Sequence, residues 1–172
     1  MITNRLIIQF VSFFAYVLVQ VMFLQNVVLF DKSFCFLYIA FLLLLPVDMG
    51  VIGLMVLGFI TGFTVDIFYD TLGIHAASSV LIMFIRNYWL NMITPQGGYD
   101  SGSMPSIELN GWQWFLGYVL PLILIHHIVL FYISSSGFGL FWFTLSKALL
   151  STLFTAVVIM IVQYIFYRKR IT

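Results

Sequence analysis

Residues 51–68 read V-I-G-L-M-V-L-G-F-I-T-G-F-T-V-D-I-F, and this stretch decides the fold. It carries one charged residue, Asp66, in an otherwise apolar run. An apolar run of about 18 residues or more is long enough to cross the hydrocarbon core of a bilayer as a helix. An isolated strand would leave its backbone polar groups unpaired in lipid. The stretch therefore predicts a transmembrane helix.

The rest of the chain has the same character. Hydrophobic residues make up 63% of the 172 residues and charged residues 8%, whereas a soluble domain has about a quarter of its residues charged. We predict one all-α membrane domain over residues 1–172, a compact bundle of about six transmembrane helices. The predicted spans are residues 6–23, 34–47, 51–68, 73–92, 112–133 and 140–167. The second and third spans also allow a tight hairpin or a partly re-entrant pair.

The few basic residues indicate the orientation. Arg5 precedes the first span, and Arg168, Lys169 and Arg170 follow the last. An even number of spans puts both groups on one side of the membrane. That side is expected to be the cytoplasm, because cytoplasmic segments carry an excess of Lys and Arg. We expect both termini to be cytoplasmic. The polar loop of residues 94–111 has no lysine or arginine and does not decide the matter.

Charge and motifs exclude several functions. The formal net charge of +1 argues against a nucleic-acid partner, because phosphate binding needs a basic surface. Cys35 is the single cysteine, so an internal disulfide or a cysteine-based metal cluster is not expected. The sequence has no nucleotide-binding glycine loop, H-E-x-x-H motif or nucleophile elbow. We expect no catalytic site and no cofactor.

The third span has one face of small and polar residues. Gly58, Gly62 and Asp66 recur every four residues, and Asp70 lies one turn further. A small-xxx-small pattern allows another helix to approach closely. That helix belongs either to the same chain or to a partner. Asp66 in turn is either an interfacial cap at the helix end or a buried, paired carboxylate.

The sixth span carries a polar stripe of Thr144, Lys147, Ser151 and Thr155. Such a stripe must face protein or water rather than acyl chains. Lys147 lies about 10 Å inside the outer end of its span at 1.5 Å per residue, and Asp66 is expected at a similar depth. The sequence therefore predicts an ion pair between Asp66 and Lys147.

The fourth span places His75 and Arg86 on one face. Arg86 approaches the cytoplasmic end, where its side chain is expected to extend to the interface. Alternatively, it pairs with Asp48 in the turn before the third span.

Adjacent histidines, His126 and His127, lie in the fifth span. They point about 100° apart, so a hydrogen bond within the bundle is expected in preference to a metal site. A proton relay through Asp66, His75 and one of these histidines is the alternative. The candidates for a buried polar network are His75, Arg86, His126 and Lys147.

Residues 58–76, G-F-I-T-G-F-T-V-D-I-F-Y-D-T-L-G-I-H-A, resemble the hallmark of the rod shape-determining protein MreD family. That pattern has a glycine pair, an aspartate four residues later, and Leu-Gly opening the next helix. The matching residues are Gly58, Gly62, Asp66, Leu72 and Gly73.

Further features agree with this resemblance. Pro46 and Asp48 are similar to the Pro-Asp turn of the family, with one residue between them. The length, the number of predicted spans and the basic C-terminal residues also agree. The specific motif covers residues 46–76, and the loop of residues 94–111 is longer than in compact members.

The resemblance implies a non-enzymatic component of the bacterial cell-elongation complex. Proteins of this family associate with MreC in the inner membrane. Through MreC they connect to the glycosyltransferase RodA, a class B penicillin-binding protein and, indirectly, MreB. Membrane lipids are the other expected partners. The family's bundle is also similar to the substrate-binding subunits of energy-coupling-factor transporters, which makes a small-molecule-binding membrane subunit the alternative function.

Overall fold

The structure is a computed structural model that describes residues 2–135 and 140–166, with side chains from residue 6 onward. It is mostly helical. The elements are α1 (Ile2–Val19) with a π-helical turn (Gln20–Leu24), β1 (Val28–Leu29), β2 (Ser33–Phe34), α2 (Tyr38–Leu43), α3 (Val51–Tyr69), α4 (Ile74–Met92), α5 (Ile107–Asn110), α6 (Trp112–Ser134) and α7 (Phe141–Ile165).

Four helices in the described part of the chain are long and apolar enough to cross a membrane. They cover Leu6–Leu24, Val51–Tyr69, Trp112–Ser134 and Phe141–Ile165. α4 is as long as α3, at 19 residues, but its polar side chains lower its mean hydropathy and it is not among the four. α4 packs between α3 and α6, and side chains on its outer side, such as Phe84 and Tyr88, are exposed.

Most of the expected spans coincide with observed helices. The third to sixth expected spans agree with α3, α4, α6 and α7 to within two residues at each end. α1 begins four residues before the expected first span. The basic residues 168–170, on which the orientation depends, lie outside the described residues.

The expected helical span over residues 34–47 is wrong in its secondary structure. Its helical part is α2, which has six residues and is about 9 Å long at 1.5 Å per residue. The chain on either side of α2 is not helical. All residues from Cys35 to Leu43 are nonetheless buried. We call residues 33–46 the inner segment.

The inner segment crosses the bundle from one end to the other. At its start, the end of α1 lies beside the end of α3, because Gln25 Nε2 donates to the Phe68 carbonyl at 3.1 Å. At its finish, the chain turns into the first residue of α3, Val51. The inner segment therefore runs antiparallel to α3 through the centre of the protein, and it does not return to the side from which it came.

Two small features complete the fold. β1 and β2 form a two-residue antiparallel hairpin, a departure from the all-α expectation. Its turn contains Phe30 and Asp31, both with positive φ. At the opposite end, the loop of residues 94–111 covers the exit of the inner segment, where Val47 N–H donates to the Ser103 carbonyl at 3.0 Å.

Candidate functional site

The junction of α3 and α4 is built around Asp66. Its Oδ2 accepts the Ala76 N–H at 2.9 Å, and its Oδ1 accepts the His75 N–H at 3.1 Å. The same Oδ1 accepts the His75 ring Nδ1–H at 3.0 Å and the Thr71 hydroxyl. The carboxylate thus caps the first turn of α4 at the positive end of the helix dipole. Asp66 is a buried carboxylate that joins two helices.

The expected ion pair between Asp66 and Lys147 is wrong. Asp66 pairs with His75, and Lys147 Nζ lies 4.5 Å from the ring centroid of Phe34 and 4.6 Å from that of Phe131. Local donors satisfy Asp66 completely, so it needs no cation from α7. Aromatic faces attract the Lys147 ammonium instead.

Gly58 and Gly62 lie against α4 of the same chain. A Cβ on Gly62 would lie 2.5 Å from the His75 carbonyl oxygen and 2.6 Å from Ala76 backbone atoms. A Cβ on Gly58 would lie 3.0 Å from the Ser79 carbonyl oxygen. Of the two alternatives for this face, packing within the chain is the one observed. Gly73 adopts φ +83° at the N-cap of α4, a conformation that glycine adopts at no steric cost.

Phe36 of the inner segment lies among all three histidines of the chain. Its ring centroid is 5.5 Å from that of His75, 6.3 Å from His126 and 5.3 Å from His127. All four side chains are buried. The centre of the bundle is therefore aromatic, and its polar groups surround one phenyl ring.

Tyr38 connects this centre to α6. Its hydroxyl lies 2.7 Å from His126 Nε2 and accepts from the Ser79 hydroxyl at 3.5 Å. His126 Nδ1 and His75 Nε2 have no hydrogen-bond partner in the described part of the chain. The Asp66–His75 pair and the Tyr38–His126 pair are thus separate, and no continuous chain of hydrogen bonds joins them among the described residues.

His127 points toward α7 instead. Its Nδ1 donates to the Ile123 carbonyl at 2.7 Å, and its Nε2 lies 3.4 Å from the Thr155 hydroxyl. The two neighbouring histidines therefore have different partners, as their separation of about 100° requires.

The first half of the inner segment obtains its hydrogen bonds from the polar stripe of α7. Phe34 N–H donates to the Ser151 hydroxyl at 2.9 Å, and Phe36 N–H donates to the Thr155 hydroxyl at 3.1 Å. A non-helical backbone at membrane depth is tolerated only where protein or water satisfies its polar groups. The stripe expected from the sequence faces protein for this reason.

Gln20 of the π-helical turn binds the same stretch from the other side. Its Nε2 donates to the Cys35 carbonyl at 3.0 Å and its Oε1 accepts the Tyr38 N–H at 3.3 Å. Gln20 also contacts the Tyr69 hydroxyl at 2.6 Å. Gln20 was not predicted from the sequence. It could have been noticed as an uncharged polar residue near the end of an apolar span.

Arg86 binds the second half of the inner segment. Its guanidinium donates to the carbonyls of Leu43 and Pro46, at 3.4 and 3.3 Å, and to that of Leu45. Its Nε donates to the Tyr118 hydroxyl at 2.7 Å. These carbonyls are at and beyond the C-terminus of α2, where partial negative charge favours a cation.

Both expectations for Arg86 are therefore wrong. Its side chain is 0% exposed, so it does not extend to the interface. Asp48 does not pair with it and instead accepts a hydrogen bond from Ser101 at 3.2 Å. Tyr118, which was not predicted from the sequence, also binds the inner segment, because its hydroxyl donates to the Leu43 carbonyl at 2.8 Å.

The four expected members of one buried network thus lie in three places. His75 and His126 flank Phe36, Arg86 binds the end of the inner segment, and Lys147 lies between two aromatic rings. Within residues 2–135 and 140–166, no three His, Cys, Asp or Glu side chains form a group that could hold a metal ion.

Comparison with known proteins adds no identification. No protein-family model, curated protein or solved structure matches the chain.

Proposed function

We propose that this protein is a non-enzymatic membrane scaffold of the MreD type. It binds an MreC-like partner in the bacterial inner membrane. Through that partner it positions a RodA-type glycosyltransferase and a class B penicillin-binding protein, with MreB connected indirectly. The family assignment rests on the resemblance over residues 46–76.

One observation supports a structural role above the others: the chemically capable side chains are closed inside the bundle. Asp66 is 2% exposed, His75 3%, and Arg86 and His126 0%. Asp66 and Arg86 use their polar atoms on backbone and side-chain groups of the same chain. An enzyme requires access of a substrate to such groups, whereas a scaffold requires a fixed shape.

The transporter alternative has less support. A pocket for a small molecule was expected to be lined by Asp66, His75, His126 and Lys147. Packing closes the first three from the surface, and Lys147 is separated from them by its contacts with Phe34 and Phe131.

A topology of six crossings with both termini in the cytoplasm belongs to this proposal. In this proposal, each of the five long helices and the inner segment crosses the membrane once. An even number brings Arg5 and the basic residues 168–170 to one side, as the bias of Lys and Arg favours.

The outer face of the α3–α4 hairpin is the surface that we propose for the partner. Two adjoining grooves of about 580 and 360 Å³ share Phe59 and Val80 there. Together they extend from Ile52, near the start of α3, to Gly73, beyond its end. A length of 19 residues is about 28 Å, close to the thickness of the hydrocarbon core. The groove therefore fits a transmembrane helix of the partner.

Small residues make close approach possible in this groove. Gly73 and Ala77 line it beside the stacked rings of Phe59 and Phe63, whose centroids are 5.6 Å apart. Contacts at small residues are the usual means by which helices associate in lipid. Leu72, fully exposed at the end of the groove, provides an apolar contact at the membrane surface.

The test is an affinity purification from membranes in which the protein and an MreC-like partner are co-expressed. Ala77→Trp fills the groove and should reduce recovery of the partner at least tenfold. Val157→Trp, on the exposed face of α7, should leave recovery unchanged. In a rod-shaped host, depletion of the protein should produce round cells that Val157→Trp rescues and Ala77→Trp does not.

Two results would contradict the proposal. Equal recovery with both variants would exclude the hairpin groove as the binding surface. Co-purification of an ATPase module with a bound small molecule, without an MreC-like protein, would favour the transporter subunit.

A further inference from the structure

Lys147 is a cation without a carboxylate partner among the described residues. Those residues contain all six Asp and Glu side chains of the chain, and the one ion pair within them joins Asp66 to His75. Lys147 Nζ contacts the rings of Phe34 and Phe131 instead. Aromatic faces attract an ammonium group, but they carry no net charge and do not accept its three hydrogen bonds as oxygen atoms do. Lys147 therefore lacks an anion.

The position of Lys147 brings its ammonium group close to the membrane surface. Trp142 is 78% exposed at the start of α7, where an interfacial tryptophan is expected. Lys147 lies five residues further along, or about 8 Å deeper. Side chains of an α-helix tilt towards its N-terminus, so the ammonium group is directed back towards the level of Trp142. Its contact with Phe131, within one turn of the end of α6, agrees with this depth.

A second lysine lies beside the same part of α7. Lys32 Nζ lies 5.5 Å from the ring centroid of Phe143, and Phe143 precedes Lys147 by one helical turn. β2 follows Lys32 directly and is held against α7 by the hydrogen bond from the Phe34 N–H to the Ser151 hydroxyl. Like Lys147, Lys32 has no ion pair among the residues that the structure describes. We call Lys32 and Lys147 the lysine pair.

Two carboxylates lie at this end of the bundle, and within the described part of the chain neither pairs with a lysine. Asp31 precedes Lys32 at the turn of the β-hairpin, where it is exposed. Asp70 follows the end of α3 and is also exposed. A carboxylate next to Lys32 lowers the positive potential at the lysine pair without binding it.

An apolar stripe continues from Lys147 towards the middle of the membrane. Leu150, Val157 and Ile161 follow Lys147 at intervals of three, ten and fourteen residues, so they lie on neighbouring positions of one face of α7. All three are exposed. A cation above an apolar stripe matches a molecule that is anionic at one end and apolar at the other.

Depth favours a lipid phosphate as the missing anion. The phosphate groups of a bilayer already lie at the interface, where the ammonium group of a lysine near a helix end is found. A carboxylate on a partner helix would itself be costly at the depth of Lys147. Free phosphate in water has no apolar part that could use the stripe of α7.

We propose that the lysine pair binds the phosphate of one anionic glycerophospholipid in the adjacent leaflet. The ammonium groups of Lys32 and Lys147 donate hydrogen bonds to phosphate oxygens, and an acyl chain lies along Leu150 and Val157. The bound lipid neutralises Lys147 beside Phe34, at the start of the inner segment. Binding requires this protein alone and does not depend on the scaffold function proposed above.

Native mass spectrometry of the delipidated full-length protein, without a partner, tests this proposal. Phosphatidylglycerol and phosphatidylcholine with the same acyl chains are added in equal amounts, and retained lipids are counted. The wild type should retain one phosphatidylglycerol. Lys147→Met keeps an apolar side chain between the two rings but should reduce retention about tenfold or more, as the loss of a charged hydrogen bond does. Lys147→Arg keeps the charge and should retain the lipid.

Two further variants separate loss of charge from misfolding. Lys32→Met should reduce retention about fivefold, the effect of one lysine near a membrane surface. Asp31→Asn removes the neighbouring negative charge and should raise retention of phosphatidylglycerol above that of the wild type. A folding defect would lower retention, so an increase can come only from the altered charge.

Inorganic phosphate distinguishes a lipid headgroup from a free anion. Added at millimolar concentration, it should leave the retained phosphatidylglycerol in place, because it cannot use the apolar stripe. Displacement of the lipid by inorganic phosphate would contradict the proposal.

Three other outcomes would overturn the proposal. One is equal retention of phosphatidylglycerol by the wild type and Lys147→Met, and another is equal retention of the two lipids by the wild type. The third comes from a carbodiimide, which joins a lysine to a carboxylate that pairs with it. A carbodiimide cross-link from Lys147 to a co-purifying polypeptide in native membranes would assign Lys147 to a protein partner.

Discussion

The α3–α4 hairpin and the inner segment both place polar groups deep in an apolar bundle, and these groups obtain their hydrogen-bond partners in different ways. The hairpin satisfies its backbone within two regular helices, and one carboxylate, Asp66, closes the junction. The inner segment has six helical residues and obtains its other hydrogen bonds from distant side chains, such as Ser151 and Arg86.

The difference predicts two kinds of sensitivity. The stability of the hairpin depends on the absence of side-chain atoms at Gly58 and Gly62, which allows the backbones of α3 and α4 to approach closely. The inner segment depends on donors and acceptors from α1, α4, α6 and α7. Added volume should therefore damage the hairpin, and isosteric loss of polar atoms should damage the inner segment.

The largest effect is expected at Arg86. Arg86→Met keeps much of the apolar volume but removes the donors to the carbonyls of Leu43, Leu45 and Pro46. The Leu43 carbonyl keeps the Tyr118 hydroxyl as a donor, so the carbonyls of Leu45 and Pro46 are the ones left unpaired. Each buried carbonyl left unpaired costs about 1–3 kcal/mol, and loss of the buried charge offsets part of the total. We expect the free energy of unfolding to fall by about 3 kcal/mol, measured by denaturant titration in detergent micelles.

Arg86→Lys is the matched control for charge. Lysine keeps the positive charge but lacks the planar set of donors that reaches several carbonyls at once. It should recover less than half of the lost stability. Full recovery would mean that charge alone, at the C-terminal end of α2, holds the inner segment.

The hairpin could be predicted from sequence because its determinants are local. Gly58, Gly62 and Asp66 lie on one face by simple helical spacing, and Gly73 follows within a few residues. The bounds of α3 and α4 agree with the expected spans to within two residues.

The inner segment could not be predicted in this way. Its residues are as apolar as those of a transmembrane helix, so composition does not distinguish the two. The groups that allow it to be non-helical lie far away in the sequence: Ser151 is 117 residues from Phe34, and Thr155 is 119 residues from Phe36. The stripe on α7 was visible, but its partner was not.

The error over Asp66 and Lys147 has a related cause. Similar depth in two spans suggested a pair, but depth gives no information about the angle at which each side chain faces the interior. Donors within ten residues, from Thr71 to Ala76, satisfy Asp66 first. A local cap required no long-range partner.

An intermediate effect is expected at Gly62. Gly62→Ala would place a Cβ within 2.6 Å of His75 and Ala76 backbone atoms, so α3 and α4 must separate. Overpacking of this kind costs about 1–3 kcal/mol, and we expect about 2 kcal/mol in the same titration.

Gly53→Ala is the control on the same helix. Its Cβ would meet a single atom, Met49 Cγ, at 4.0 Å, and alanine is the better helix former by about 1 kcal/mol. Gly53→Ala should be neutral or stabilising. If the two variants lose equal stability, close packing against α4 does not explain the glycine at position 62.

The smallest effect is expected at Ser151, and it tests the donor-dependence of the inner segment most directly. Ser151→Ala removes one oxygen and leaves the Phe34 N–H without its acceptor, at a cost of about 1 kcal/mol. Ser146→Ala is the control, because Ser146 bonds to the Phe143 carbonyl of its own helix and its loss should cost under about 0.5 kcal/mol.

Hydrogen exchange should distinguish the two variants further, with faster exchange of the Phe34 amide in Ser151→Ala alone. Unchanged exchange of the Phe34 amide in Ser151→Ala would mean that a water molecule replaces the hydroxyl. Water would then reach the start of the inner segment despite its burial.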